Sequence, residues 1–268
     1  MTHGPELAGD ILSYYEQGRE DDRLRTGGGR LELWRTQHIL RRYLPPAPAT
    51  VLDIGGGSGV HAEWLAEDGH DVHLIDPVPL HVEQASTLPG VRVSVGDARE
   101  LDLPDQSADV ALLLGPLYHL TDPADRLRAV REAARVARPG GIVAVAGISR
   151  FASMRDSLRK GWLDDQRWVG TVERTVATGR HRNESGHEQR FTTAYFHRAD
   201  DLGSELMAAG LHDVEVIAVE GIGSFLDGLD EILDVPNTHD VLMRWIQMTE
   251  REPSLLGASG HLLAIGRR

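Results

Sequence analysis

Cysteine is absent from all 268 residues of the chain. That excludes disulfides, thiolate nucleophiles, Cys-ligated zinc, Cys-held iron–sulfur clusters and the radical chemistry such clusters start. Lysine is nearly absent. Lys160 stands alone, so Schiff-base chemistry has one candidate, with nothing around it that marks a buried amine. Long apolar runs are missing as well. The longest, around Val110–Leu114 and Ile142–Ala146, fall far short of the roughly 20 residues that span a bilayer. The start, Met1-Thr2-His3-Gly4-Pro5-Glu6, lacks a basic stretch leading into an apolar one, so no signal peptide is expected and the chain reads as soluble and cytoplasmic, with no membrane partner. Positive charge is in deficit. Lys plus Arg number 28 against 41 Asp plus Glu, a formal charge of −13, which speaks against a nucleic-acid partner. Apolar residues make up 41% of the chain, enough for a packed core, so chain-long disorder is excluded.

The pattern of apolar residues divides the chain. Leu7, Ile11, Leu12 and Tyr15 recur at helical spacing, and after a loop at Thr26–Gly29 so do Leu31, Trp34, His38, Ile39 and Tyr43, until Pro45, Pro46 and Pro48 stop the helix. Residues 1–47 therefore read as a helical lid. From residue 48 to 148 short apolar strands alternate with helices, the sign of βαβ units in a parallel sheet. Strands are expected at Val51–Ile54, Asp71–Ile75, Val91–Val95, Asp109–Leu114 and Ile142–Ile148. Residues 149–190 break the rhythm and read as a cap insertion with a helix or two. Residues 191–268 return to the sheet, with a strand at Val214–Val219, helices broken at Pro236 and a last strand at Gly260–Ile265. The whole is read as one domain.

The strongest local signal is Asp53-Ile54-Gly55-Gly56-Gly57-Ser58-Gly59, set between a strand and a helix. Glycines there permit a tight turn and let a ligand approach the backbone, while the helix behind offers free N–H groups. The spacing is Gly-x-Gly-x-Gly. The dinucleotide pattern needs a glycine where Val60 stands, and no nucleoside-triphosphate loop is present. Two further acids follow. Asp76 ends the second strand, where a carboxylate can accept both hydroxyls of a ribose, and Asp97 ends the third, where one can accept from an exocyclic amine.

With Leu74–Pro77, Gly96–Ala98, Leu112–Pro116 and Ala137–Gly141 added to the glycine loop, the chain resembles the class I S-adenosylmethionine-dependent methyltransferases, strongly over about residues 48 to 148. The resemblance implies an α/β, Rossmann-like, seven-stranded and mainly parallel sheet with helices on both faces and an antiparallel last strand. It also implies a cofactor pose for S-adenosyl-L-methionine, which leaves as S-adenosyl-L-homocysteine. Gly55, Gly57 and Gly59 would lie against the methionyl part and sugar. Asp53 would organise the loop and the amino group. Asp76, followed by Pro77, would bind the ribose, Asp97 and the Ala98 backbone the adenine, and Leu114–Gly115 the sulfonium end.

The acceptor side is less defined. The stretch Gly115-Pro116-Leu117-Tyr118-His119-Leu120 is not the motif of amino-methylating nucleic-acid enzymes, so a small organic acceptor leads, methylated at O, N or C, with natural-product metabolism as one setting. His119 is a candidate general base and Tyr118 a candidate to orient the acceptor; alternatively His119 packs the start of the next helix. Tyr14, Tyr15 and the Glu32-x-x-Arg35 pair resemble a segment that closes over the cofactor. There Tyr14 and Arg35 would touch the cofactor and Tyr15 the acceptor; the other reading of Glu32 and Arg35 is a surface ion pair. Trp162, Trp168, Tyr195, Phe196 and His197 either wall an acceptor pocket or form the insertion's own core. No stretch carries metal-ligand spacing; His181 and His187 stand six apart in a polar loop, and no metal is expected. A catalytically silent cofactor-binding or assembly protein and a nicotinamide-dependent oxidoreductase are the alternative functions, and a monomer or homodimer the expected state.

Overall fold

The computed structural model describes residues 20–183 and 190–268. Tyr14, Tyr15 and His187 lie outside the described residues. Five parallel strands, β1 (Thr50–Ile54), β2 (Asp71–Asp76), β3 (Val91–Val95), β4 (Ala108–Leu113) and β5 (Ala137–Ser149), are followed by β6 (Arg180–His181), β7 (Ala194–His197), β8 (His212–Ala218) and β9 (His261–Arg267). The main sheet runs β3-β2-β1-β4-β5-β9-β8, with β9 antiparallel to both its neighbours. This is the expected seven-stranded, mainly parallel sheet with an antiparallel last strand. The insertion adds two short strands: β7 pairs with the end of β5 through Ile148 and Ser149, and β6 pairs with β7.

The central strands read as near-continuous apolar runs because both faces are covered. On one face lie α2 (Gly27–Arg41), α3 (Val60–Glu67) and α4 (Pro79–Ala85), which bury Ile39, Leu40, Ala62, Leu65 and Ala85 against Val51, Val72 and Val110. On the other lie α6 (Pro123–Val136) and α9 (Ala199–Ala208), which bury Ala129, Val130, Ala133, Leu202 and Leu206 against Ala111, Leu113 and Val143. The start of α6 is set by Asp122, whose carboxylate accepts the Ala124 amide at 2.8 Å, and by Pro123 in the first turn. In the insertion, α7 (Ala152–Lys160) is followed by α8 (Gln166–Thr178), capped by Asp165.

Two local expectations change. Thr26–Gly29 is not a loop. Gly27 opens α2, and a Cβ on Gly29 would lie 1.8 Å from the Arg23 carbonyl oxygen, so the glycines serve the close approach of α1 (Glu20–Arg25) to α2. Strand β5 starts at Ala137, five residues early, because Gly140 and Gly141 exchange hydrogen bonds with Arg268 at the end of β9.

Arg35 is the clearest correction. It neither reaches a ligand site nor pairs with Glu32 on the surface. Its side chain is fully buried, donating from Nε to the Val219 carbonyl at 2.9 Å and from a terminal nitrogen to Glu250 at 2.5 Å. Arg42 also holds Glu250, at 2.6 and 3.1 Å. Burial raises the Glu250 carboxyl, but the two arginines outweigh it and keep it below the usual range. The pairing ties α2 to the end of α10 (Pro236–Thr249). Arg35→Ala is expected to lower stability by about 3 kcal/mol in urea unfolding, since Glu250 stays buried with only Arg42 to balance it. A loss below about 1 kcal/mol would contradict that role.

Candidate active site

The carboxyl ends of β1 and β4 open onto a cavity of about 340 Å³, a size suited to a small-molecule site. Its floor is the turn after β1. Gly55 has φ +70, and a Cβ there would meet the Pro116 ring at 2.4 Å. Gly57 has φ +59, and a Cβ there would meet nothing within 4 Å, so the loop backbone lies open to a ligand. Leu114, Gly115 and Tyr118 continue the floor.

Asp53 lines this floor and is fully buried, yet among the described residues neither carboxylate oxygen has a well-formed hydrogen bond. Burial, with Asp76 adding repulsion and the Ala62 amide partly offsetting it, pushes its carboxyl up to about 7. An orphaned acceptor beside an open glycine turn is what a cationic amine would satisfy. Asp76 is placed differently. One oxygen accepts the Gly57 amide at 2.9 Å; the other accepts the Val78 amide at 2.9 Å and faces His81 Nδ1 at 3.0 Å. It lies behind the cavity wall, shaping the turn, while His81 reaches the cavity.

Several expected site residues lie elsewhere. Asp97 is clasped by Arg99 at 2.6 and 2.9 Å; burial raises its carboxyl but Arg99 holds it below the ordinary range. Asp97, Ala98, Pro77 and Gly59 do not line the cavity. Trp162 and Trp168 do line it, edge to face at 6.0 Å, with Arg190 over both rings. Tyr195 and His197 do not. Strand alternation sends Phe196 into the cavity and its neighbours to the opposite face. There Arg126 lies 3.7 Å from the Tyr195 ring centre and His197 packs 3.4 Å from Glu205. His119 is also turned away. In the single turn α5 (Pro116–His119), Tyr118 faces the cavity and the next side chain points about 100° round the axis. The His119 ring stacks on Phe191 at 6.0 Å, not on the start of the next helix, and does not line the cavity where a base would be needed.

A group of cavity residues, Glu32 apart, had no motif to announce it. Arg23 and Glu32 come from the N-terminal helices, His61 from α3, Arg155 and Asp156 from α7, and His261 from the first position of β9. An antiparallel strand enters the sheet where its parallel neighbours leave it, so the first residue of β9 lies at the ligand edge. Arg23 grips Glu32 at 2.6 and 3.1 Å. His261 Nδ1 lies 2.6 Å from Glu220 and 3.5 Å from Glu32. Burial pushes the Glu220 carboxyl up, but His261 and Arg155 overturn this and bring it down to about 2. His61 is pushed down to about 4, chiefly by burial. Among the described residues, Glu32, Glu220 and His261 place ligand-type atoms within 4.8 Å of one another, but these atoms already satisfy each other and Arg23.

The Asp53 carboxyl makes a pH prediction. A carboxyl held at about 7 in the fold and 3.8 in the open chain makes the folded state bind the extra proton between those values. Stability therefore falls as pH rises through that window, by at most about 4 kcal/mol. Asp53→Asn removes this slope. In urea unfolding it should raise stability more at pH 8 than at pH 4.5, by about 1.5 kcal/mol or more. Equal effects at both pH values would show that the carboxylate is not strained.

Comparison with known proteins agrees with this geometry. Residues 52–145 match the family model of a methyltransferase domain. An uncharacterized methyltransferase of Mycobacterium tuberculosis is 41% identical over 122 residues, 45% of this chain and 46% of that protein. A chloroplastic 2-methyl-6-phytyl-1,4-hydroquinone methyltransferase of Oryza sativa is 33% identical over 102 residues, 36% of this chain and 28% of that protein. The chain thus spans less than half the length of these curated relatives. A SAM-dependent methyltransferase from Thermotoga maritima shares the fold, with a TM-score of 0.57 over 96% of this chain and 99% of the other at 19% identity. No helix among the described residues is long and apolar enough to cross a membrane. Residues 52–145, which carry the glycine turn, are thus similar to methyltransferase domains, and the sheet is built like that of solved SAM-dependent methyltransferases.

Proposed function

We propose that this protein transfers a methyl group from S-adenosyl-L-methionine to a small organic acceptor with an apolar body. The observation that carries the reading is the buried Asp53 carboxylate, without a well-formed hydrogen bond among the described residues, on the floor of a cavity whose far walls are aromatic. Asp53 would hold the cofactor's ammonium group by a charge-assisted hydrogen bond. The Gly55–Gly57 backbone would lie along the methionyl part, Leu114 and Gly115 beside the sulfonium, and Asp76 would reach the ribose or act on it through the Gly57 turn. When bound, the cofactor supplies an already activated methyl group on a sulfonium. The protein then has to align the acceptor and exclude water. The N-terminal helices, through Arg23, Leu24 and Glu32, form one wall of the cavity and would act as the lid.

Trp162, Trp168, Phe191 and Phe196 would bind the acceptor's apolar face. The rice relative acts on a phytyl hydroquinone, in keeping with a phenolic acceptor here. The turn has Val60 where the dinucleotide pattern needs its third glycine, which weighs against a nicotinamide cofactor.

Calorimetry tests the cofactor. S-adenosylmethionine and S-adenosylhomocysteine should bind and NAD should not, and Asp53→Asn should weaken the first two by roughly 1.5–3 kcal/mol. Absence of binding by either nucleoside would overturn the reading. Tight binding without transfer across a wide acceptor panel would favour a silent binding protein.

A further inference from the structure

We infer that His261 is the proton acceptor for the methylated group, held in place by Glu220, and that the acceptor is therefore a hydroxyl carried on an apolar or aromatic body. The inference rests on the methyl-transfer reading and adds to it a residue and a substrate class.

His261 is the first residue of β9, paired in register with Ile148 at the end of β5, and both line the cavity. Its ring lies 6.1 Å from that of Tyr118, three residues after Gly115 at the end of β4. Nδ1 donates to Glu220 Oε1 at 2.6 Å. The other Glu220 oxygen accepts the His261 amide and the Ser259 hydroxyl, both at 2.8 Å, and the Glu220 and Gly221 amides donate to Ser259 Oγ. A carboxylate pinned by this many donors has one geometry, and it fixes the imidazole tautomer with hydrogen on Nδ1. Among the described residues the ring's hydrogen bond is made by Nδ1, and His261 lines the cavity. That tautomer leaves Nε2 unprotonated, the atom that would take a proton from a ligand in the cavity.

Every charged group around the ring belongs to the same setting. Glu220 lies beyond β8, Glu32 on α2, Arg23 on α1, Arg155 on α7, and the Tyr118 hydroxyl on α5. Burial lowers the imidazole's proton affinity, but Glu32 and Glu220 outweigh burial and Arg23 and hold it above its ordinary value. This makes a stronger base, active in its neutral form on the alkaline side of that value. In the step, the hydroxyl oxygen forms a bond to the methyl carbon. The carbon–sulfur bond breaks with its electron pair passing to sulfur. The O–H bond breaks, and its proton goes to Nε2 while Glu220 balances the new imidazolium charge. Glu220 acts through His261 and is a positioning residue.

The test uses the full chain with saturating S-adenosylmethionine and a series of ring-substituted phenols of graded acidity, reading S-adenosylhomocysteine formed. His261→Gln should lower kcat about a hundredfold for phenols protonated at the assay pH and less than about fivefold for those already ionised. KM for the phenols should stay within about threefold, and Kd for S-adenosylhomocysteine within about twofold. The wild-type rate should rise with pH to a plateau, and the plateau should vanish in His261→Gln. Independently of turnover, histidine ¹⁵N NMR of the cofactor-free protein should show hydrogen on Nδ1 of neutral His261, and Glu220→Gln should lower its pKa by about one unit. Equal losses for ionised and protonated phenols, or no effect of Glu220→Gln on the imidazole, would reduce the pair to a structural tether and overturn the inference. Loss of activity to a chelator with recovery on adding Mg²⁺ would overturn it in favour of a metal held by Glu32, Glu220 and His261. Wild-type protein that binds S-adenosylmethionine but methylates none of the phenols would refute the hydroxyl acceptor. Protein that fails to bind it would refute the methyl-transfer reading itself.

Discussion

A carboxylate buried without a well-formed hydrogen bond is among the most expensive groups a fold can hold, and among the described residues Asp53 is such a group at the centre of this sheet. Only the Ala62 amide offsets its burial, and only in part. The nearest charge, Asp76, adds repulsion. Side chains in such positions either take up a proton or await a cation. The backbone around Asp53 is arranged for the second outcome. A Cβ on Gly56 would lie 2.6 Å from Asp53 Oδ2, so the loop closes directly over the carboxylate, while Gly57 stays open toward the cavity. The glycine run and the strained acid are two parts of one device. The turn can approach a ligand because it has no side chains, and the acid beneath it supplies the charge that a cationic ligand would match.

The rest of the cavity is built outward from that edge. The βαβ order brings β1 and β4 side by side with their carboxyl ends on one rim. The insertion after β5 then folds two tryptophans and two phenylalanines over the far side. Polar groups enter from elements distant in the chain: Glu32 from the N-terminal helices, Arg155 from the insertion and His261 from the last strand. A cavity with one side set by a local pattern and the other assembled from scattered positions can keep one chemistry while changing what it acts on.

This division also explains what the amino-acid sequence revealed. The strands and the ligand edge were legible because the parallel sheet is buried on both faces and its apolar runs are bounded by Gly, Pro and Asp. Asp53, Gly55 and Gly57 stood out because a tight turn restricts residue choice locally. Arg35 misled because its partner, Glu250, lies 215 residues away, and no local pattern separates a buried cross-element pair from a ligand-facing arginine. His119 misled for a smaller reason, since one residue along a helical turn decides whether a ring faces the cavity. His261 was invisible for the converse reason. It belongs to no motif, and its place follows only from the antiparallel entry of β9. Tyr195 and His197 share a strand with the cavity-lining Phe196 but occupy its other face. The Thr26–Gly29 run shows that glycines in sequence mark close approach as readily as a loop.

The central claim is that Asp53 is held uncharged or strained until a cationic ligand arrives. The direct measurement is a ¹³C NMR titration of the Asp53 carboxyl, with and without saturating S-adenosyl-L-homocysteine. The account predicts a value near 7 in the free protein and a fall toward the ordinary carboxylate range on binding. A carboxyl that titrates at its ordinary value in the free protein, or that the bound nucleoside leaves unmoved, would contradict it.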